Sequence, residues 1–225
     1  MDKLDADDVI VYDRLVSAAV LELGRREAEY IFVGKTPGQQ SIKQPAINQI
    51  LVDKALEGLC VVRLKSGDPL IFGRADEEID ALVAHNIPVE IIPGITAAAA
   101  SAAAIQASLT TRGTNKAIAF LTGHDAEGFA EQDWLNLAQP NGRAAVYMGV
   151  GAARFIQGRL LLHGAENARP VSVIENASRP NQKIIYTNLR NLPDDIAAAG
   201  IKGPAVLLIG YAQRSVNTSS ERVAI

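Results

Sequence analysis

Short apolar runs alternate with longer segments of helical periodicity in the first half of the chain. A helix is predicted to begin near Pro45, which suits a first helical turn, and to end at Gly58. A second helix is predicted over Ala75–Asn86. The apolar runs predict buried strands at Val9–Tyr12, Tyr30–Val33, Cys60–Leu64 and Val89–Ile92. This alternation is typical of a largely parallel sheet covered by helices, with ligand-binding loops at the carboxyl ends of its strands.

The pattern breaks at a polar, glycine-containing stretch, Thr110–Asn115, which follows a small-residue helix predicted over Thr96–Ala104. We therefore predict a boundary between two α/β domains at this point. The first domain would comprise residues 1–111 and the second residues 112–225.

The second half has its own strands and helices. Two predicted strands, Val171–Glu175 and Lys183–Thr187, are so close in sequence that they indicate an antiparallel pair. This sheet is therefore predicted to be mixed. The other predicted elements are strands at Ala117–Leu121, Ala144–Met148 and Ala205–Ile209, and helices near Ala130–Ala138 and Ala152–His163.

The composition of the 225-residue chain excludes several classes of protein. It is ordinary for a globular protein, with 48% hydrophobic and 21% charged residues. A formal net charge of −3 gives no general basic surface, which argues against a nucleic-acid partner. No stretch resembles a signal peptide or a membrane helix, and no Cys/His spacing indicates a metal site. The only cysteine, Cys60, lies in an apolar run, so we expect a buried thiol and a cytoplasmic location.

Two turns at predicted strand ends are candidates for a ligand site. Gly67 lets the backbone approach a ligand closely, and Asp68 can accept hydrogen bonds from an amine or a ribose hydroxyl. The second turn, Pro93–Thr96, precedes the alanine-rich helix, where Thr96 can cap the helix and leave N–H groups available. An ordinary turn and simple helix capping remain alternative explanations for these residues.

An acid and an amine follow the first two predicted strands. Val9–Tyr12 leads to Asp13 and Arg14, and Tyr30–Val33 leads to Gly34 and Lys35. Because parallel strands end at one edge, Asp13 and Lys35 could share proton-transfer work there. A salt bridge or a solvated edge is the alternative.

Taken together, these segments resemble the uroporphyrinogen III C-methyltransferases of the tetrapyrrole methylase family, over essentially the whole chain from Asp7 to Tyr211. The matching segments in the first half are Val11–Val16, Val33–Lys35, Gln44 with Ile47 and Asn48, Arg63–Arg74 and Pro93–Thr96. Those in the second half are Tyr147–Gly149, Glu175–Ala177 and Gly203–Ala205. The resemblance implies two α/β domains that enclose an active cleft, in a homodimer. It also implies transfer of two methyl groups from S-adenosylmethionine to uroporphyrinogen III, which gives precorrin-2 by way of precorrin-1 for sirohaem or cobalamin.

The resemblance assigns roles to individual residues. Asp13 would be the proton acceptor and Lys35 the proton donor. The carboxylates of the tetrapyrrole substrate would need local cations, for which Arg14, Arg74 and Arg112, together with Lys35, are candidates. The residues expected around S-adenosylmethionine are Ser66, Gly67, Asp68, Ile71, Thr96, Ala97, Met148 and Ala177.

The sequence departs from the family pattern at several positions. Thr36, Gln40 and Thr111 stand where the family usually has Arg, His and His, and Ser66 replaces a common glycine. Family members also open with a buried strand and a Gly/Pro-rich cofactor loop, whereas here Met1 falls just before Asp7. We therefore expect that this first strand and loop are missing. One alternative is another precorrin methyltransferase of the same fold, whose cofactor loop would look similar. The other, suggested by the missing start, is a truncated, non-catalytic remnant of the fold.

Overall fold

The computed structural model describes residues 8–34, 42–125 and 127–213. Its contacts divide the chain into two compact units, Met1–Thr96 and Ala97–Ile225. The second unit includes the alanine-rich helix, because Ala98 and Ala102 pack against Val206 and Leu208 of that unit's last strand. The sequence placed the boundary later, between residues 111 and 112, so the two divisions assign this helix differently.

The first unit is built around a parallel sheet. Its elements are β1 (Val9–Tyr12), α1 (Ala18–Leu21), β2 (Glu29–Phe32), α2 (Gln44–Leu56), β3 (Val61–Leu64) and α3 (Ala75–Val83). The strand order is β2-β1-β3, and both pairs are parallel. Central β1 is almost fully buried, and Ile47 and Leu51 of α2 pack against its Val9 and Val11. The predicted parallel sheet is confirmed.

The second unit contains a mixed sheet, as predicted. Its elements are α4 (Ala97–Ala104), β4 (Ala119–Thr122), α5 (Trp134–Ala138), β5 (Ala144–Tyr147), α6 (Ala153–Leu162), β6 (Pro170–Glu175), β7 (Lys183–Asn188), α7 (Leu192–Ala198) and β8 (Ala205–Ile209). The strand order is β4-β5-β8-β6-β7, with β4 and β5 parallel and the other pairs antiparallel. The carboxyl ends of β4, β5 and β6 and the amino end of β8 therefore lie at the same edge.

Several predictions of burial in the first unit were wrong. Tyr30–Val33 was expected to be a buried strand, but β2 is largely exposed, with Tyr30 and Phe32 each 38% exposed. Val89–Ile92 was expected to form a buried strand, but these residues are exposed and no described strand pairs with them. Cys60 was expected to be buried, but its side chain is exposed at the start of β3. In each case the sequence shows an apolar run, but apolar composition alone does not show whether another element covers it.

No helix within the described residues is both long enough and apolar enough to cross a membrane.

Candidate functional site

Asp13 follows β1 directly and lies at the carboxyl edge of the first sheet. Its Oδ1 accepts a hydrogen bond from the backbone N–H of Leu15 at 2.9 Å, which forms a local turn. Its Oδ2 lies 3.2 Å from Nη2 of Arg63 on β3. The Asp13 side chain is 27% exposed. The carboxylate is therefore fixed in orientation on both oxygens and still reaches solvent, as a proton acceptor requires.

The end of β2 lies beside the end of β1. The backbone N–H of Val33 donates to the Tyr12 carbonyl at 2.8 Å. A Cβ at Gly34 would lie 2.7 Å from the backbone nitrogen of Arg14, so only glycine allows this close approach. Lys35, the predicted proton donor, and the departures Thr36 and Gln40 lie outside the described residues. The role of Lys35 stays a prediction.

The two turns that the sequence singled out in the first unit contact each other. Asp68 Oδ1 accepts from the Leu70 N–H at 2.8 Å, and Asp68 Oδ2 accepts from the Gly94 N–H at 3.3 Å. A Cβ at Gly94 would approach the Gly67 carbonyl oxygen to 2.1 Å, so the backbones touch there. Gly67 itself has a φ of 77°, which favours glycine. Asp68 thus joins the two turns, while each of its oxygens retains a lone pair for a ligand.

A buried set of charged side chains supports this edge, and sequence reasoning missed it. Glu78 of α3 is 5% exposed and contacts two cations, Arg63 of β3 and Lys65, which directly follows β3. Gln44 at the start of α2 also donates to Glu78, at 3.1 Å. The available signal was Arg63 inside an otherwise apolar strand with Lys65 directly after it, because cations at such a place need a buried partner.

In the second unit, three predicted cofactor residues gather at one sheet edge. Ala97, Met148 and Ala177 lie at the start of α4, after β5 and after β6 respectively. The N–H of Ala98 donates to the Tyr147 hydroxyl at 3.1 Å, which ties the start of α4 to the end of β5. Met148 follows at once, with a φ of 52° and 52% of its surface exposed. Its side chain is thus available to a ligand at this edge.

His124, which follows β4, contacts the same edge. Its Nδ1 lies 3.0 Å from the Met148 carbonyl oxygen. Because a carbonyl only accepts, Nδ1 must carry the proton in this contact. A Cβ at Gly123 would lie 2.7 Å from that oxygen, so glycine is needed beside it. The histidine stabilises the unusual backbone at Met148, a role that spacing along the sequence did not reveal.

Comparison with known proteins identifies the family. The family model described as Tetrapyrrole (Corrin/Porphyrin) Methylases matches residues 2–193. The chain belongs to the tetrapyrrole methylase family. A siroheme synthase of Hydrogenovibrio crunogenus is 45% identical over 207 residues, which are 92% of this chain but 44% of that protein. The chain therefore spans less than half the length of this relative.

Two solved structures of tetrapyrrole methylases are similar to the chain. A uroporphyrin-III C-methyltransferase from Thermus thermophilus, solved with S-adenosylhomocysteine, is 34% identical, with a TM-score of 0.76 and coverage of 93% of this chain and 88% of that one. A cobalt precorrin-4 methyltransferase is 26% identical, with a TM-score of 0.84 and coverage of 95% and 88%.

The three predicted substrate cations of this tetrapyrrole methylase have different surroundings. Arg14, beside Asp13, and Arg112, in a tight turn of the second unit, are both exposed. Arg74 is also exposed but is paired with Glu77, through bonds of 2.7 and 2.8 Å. The hydrogen-bonded Glu77 raises the pKa of Arg74, while Arg74 lowers the pKa of Glu77. A substrate carboxylate at Arg74 would have to compete with Glu77.

Proposed function

We propose that the chain is an S-adenosylmethionine-dependent C-methyltransferase that converts uroporphyrinogen III to precorrin-2 by way of precorrin-1. The observation that carries this proposal is Asp13, a partly exposed carboxylate fixed by Arg63 at the same sheet edge as the Gly67–Asp68 turn. This edge offers a proton acceptor beside a loop that a ligand can approach closely. Membership of the tetrapyrrole methylase family supports the substrate class.

The residues present fit the proposed methyl donor. In the first unit, Gly67 and Ser66 are exposed and leave the backbone accessible, and Asp68 has lone pairs available for hydroxyl or amine donors. Ile71 and Thr96 belong to the same two turns. In the second unit, Met148 exposes an apolar, polarisable side chain. Ala97 and Ala177, at the same sheet edge, have small side chains. S-adenosylmethionine, when bound, supplies a methyl group on a sulfonium centre that needs no metal for activation.

The work of the chain is then positioning and proton transfer. An electron-rich pyrrole carbon of the substrate must be aligned with the methyl group, which is a task of orientation. The methylated macrocycle then loses a proton, and Asp13 is proposed to accept it, with Lys35 as the donor that returns one. Arg63 keeps the Asp13 carboxylate oriented for this transfer.

The substrate is strongly anionic, and the chain offers local cations despite its net charge of −3. Exposed Arg14 and Arg112 are proposed to bind carboxylates of the macrocycle, since guanidinium groups bind carboxylates in a bidentate manner. Arg74 is proposed to do so by exchanging Glu77 for a substrate carboxylate. A homodimer is also proposed.

A second candidate is methylation of a later precorrin. The higher TM-score to the cobalt precorrin-4 methyltransferase favours it, whereas the higher identity to the uroporphyrin-III enzyme favours the first. Identity weighs more here, because backbone similarity is shared across a fold that serves several substrates.

The deciding experiment is anaerobic incubation of the protein with uroporphyrinogen III and S-adenosylmethionine, followed by mass spectrometry. We expect two successive methyl additions, with the singly methylated species appearing first. Conversion of a later precorrin in place of uroporphyrinogen III would establish the second candidate. S-adenosylhomocysteine binding without turnover of either substrate would identify a non-catalytic remnant.

A further inference from the structure

Glu78 occupies an unusual position for a carboxylate. It lies in the first turn of α3 beside exposed Asp76 and Glu77, yet it is 5% exposed. Its Oε1 accepts from Nε of Arg63 at 3.2 Å, and its Oε2 accepts from Nζ of Lys65 at 2.8 Å. A single buried carboxylate thus contacts both Arg63 of β3 and Lys65 directly after it.

The two cations lead to different parts of the proposed site. Arg63 donates from Nη2 to Asp13, the proposed proton acceptor. Lys65 donates to the carbonyl oxygen of Gly73, which closes the loop that begins with Ser66 and Gly67. That loop is tightly folded, because a Cβ at Gly73 would lie 2.2 Å from the Pro69 carbonyl oxygen. Glu78 is therefore the common partner of two chains of contacts, one through Arg63 to Asp13 and one through Lys65 to the loop.

Stability alone does not account for this arrangement. A buried ion pair contributes little net stability, because the loss of hydration offsets most of the attraction, and apolar side chains of similar volume often do as well. Fixed geometry is what such a network supplies that apolar packing does not. Both chains of contacts from Glu78 end on groups that we place in the site, Asp13 and the cofactor loop. Fixed geometry matters for the reaction at these groups.

We propose that Glu78 is a positioning residue, which fixes the proton acceptor Asp13 through Arg63 and the cofactor loop through Lys65. This inference rests on the proposed function, since it assigns Asp13 and the loop their roles. It adds a buried residue on α3 that acts through its two cationic partners.

The test begins with Glu78→Gln. Glutamine has one acceptor oxygen and a donating amide group, so it can satisfy only one of the two cations. We expect kcat for methyl transfer to fall by on the order of 10²-fold, since loss of alignment alone can have that effect. We also expect the Kd for S-adenosylhomocysteine, measured by calorimetry, to rise about tenfold, which corresponds to roughly 1.4 kcal/mol.

Variants of Lys65 and of Arg63 separate the effect on cofactor binding from the effect on kcat. Lys65→Met should raise the Kd for S-adenosylhomocysteine about as much as Glu78→Gln does, with a smaller change in kcat at saturating cofactor. Arg63→Met should lower kcat and leave that Kd close to wild type. Asp80→Asn, an exposed carboxylate on the same helix, is the matched control and should change neither quantity. A residue that only stabilised the fold would not divide kcat and Kd between its partners in this way.

A charge-balanced variant covers the case in which Glu78→Gln folds poorly with two buried cations. Lys65→Met combined with Glu78→Gln removes one charge of each sign, so we expect the melting temperature to return toward wild type. The Kd for S-adenosylhomocysteine should stay raised, because the tether to Gly73 is absent. A folded double variant with wild-type Kd and kcat would overturn the proposal, as would Glu78→Gln with unchanged kcat and Kd.

Failure of the proposed function would look different. If the wild-type protein methylated neither uroporphyrinogen III nor a later precorrin, the proposed function would be wrong. The Kd for S-adenosylhomocysteine of the Glu78 variants would still test the role of Glu78. If wild type were active and the Glu78 variants had unchanged kcat and Kd, only the proposed role of Glu78 would be wrong.

Discussion

Arg63 reaches across the parallel pair β1–β3 to Asp13, with Nη2 at 3.2 Å from Oδ2. Arg63 lies opposite Val11 in the register, and its Nη1 also donates to the Val11 carbonyl at 3.3 Å. The guanidinium is therefore anchored on the backbone of β1 before it meets the carboxylate. The orientation of the proposed proton acceptor is thus set by the neighbouring strand and by its own turn to Leu15.

Replacement of Asp13 by Asn should reduce methyl transfer while leaving cofactor binding nearly unchanged. Asparagine keeps an oxygen for the Leu15 N–H but cannot accept a proton at neutral pH, so we expect a loss of about 10²–10⁴-fold in kcat. Single-turnover mass spectrometry measures the rate, and calorimetry with S-adenosylhomocysteine measures the binding. Asp76→Asn, an exposed change on α3, serves as the control. Turnover of the Asp13 variant at the wild-type rate would remove Asp13 from the mechanism.

Replacement of Asp68 by Ala should weaken cofactor binding through both turns of the first unit. The change removes the exposed hydrogen bonds by which Asp68 joins the N–H groups of Leu70 and Gly94, each of which contributes about 0.5–1.5 kcal/mol net. We expect the Kd for S-adenosylhomocysteine to rise about tenfold or more. Asp68→Asn, which retains one acceptor oxygen, should have a smaller effect. Equal affinity in Asp68→Ala and wild type would show that these residues form only an ordinary turn.

The contact from His124 to Met148 predicts that two substitutions of His124 weaken cofactor binding to different extents. His124→Ala removes the donor to the Met148 carbonyl, so the backbone there should relax and the Kd for S-adenosylhomocysteine should rise about fivefold to tenfold. His124→Asn offers an amide N–H near the position of Nδ1 and should recover most of the loss. His85, which contacts the Ala81 carbonyl at the end of α3, provides the matched control as His85→Ala. The idea fails if the alanine and asparagine variants of His124 bind with the same affinity.

The pair of Glu131 and Trp134 predicts an acid-sensitive contribution to stability. The Trp134 indole N–H, and then Arg159, lower the pKa of Glu131 below its ordinary value of 4.5. A depressed folded-state pKa means that the ionised form stabilises the fold above pH 4.5 and that this contribution is lost as pH falls through the folded value.

We therefore expect Glu131→Gln to melt at a lower temperature than wild type at neutral pH, with the difference closing as pH falls below about 4.5. Thermal melts at a series of pH values measure this, and Glu127→Gln, an exposed neighbour, is the control. A difference that stayed constant into acid would show that packing, and not charge, connects Glu131 to stability.

The fold was largely predictable because apolar runs that alternate with helical periodicity locate the strands and helices, although they did not show that β2 is exposed. Central β1 was predicted with its observed bounds, since its residues are covered on both faces. Helix α7 was missed, although Pro193 and the acids Asp194 and Asp195 in its first turn are typical of a helix start. Helix α1, with four residues, is too short to show a period.

Residues of the site were predictable only where a carboxylate or a glycine follows the end of a predicted strand. Asp13, Gly67 and Asp68 were identified in this way, because loops at the carboxyl edge of a parallel sheet carry ligand sites. Glu78 and His124 were missed, because each acts on a residue distant in sequence through a contact that only the folded chain creates. The positions of Arg14 and Arg112 as substrate ligands stay predictions.

The strand order β2-β1-β3 implies unequal hydrogen exchange within the first sheet. β1 is paired along both edges, whereas β3 is paired only with β1 within residues 8–34, 42–125 and 127–213. Amide groups of β1 should therefore exchange with deuterium most slowly, and the β3 amides that point away from β1 should exchange orders of magnitude faster despite sitting in the same sheet. The exposed run Val89–Ile92 should exchange as fast as a loop. Among the described strands of this sheet β2 and β3 are both edge strands, so opening of the first unit would start from either of them. Local unfolding of β3, which carries Arg63 and leads directly to Lys65, would most directly disturb the proposed site.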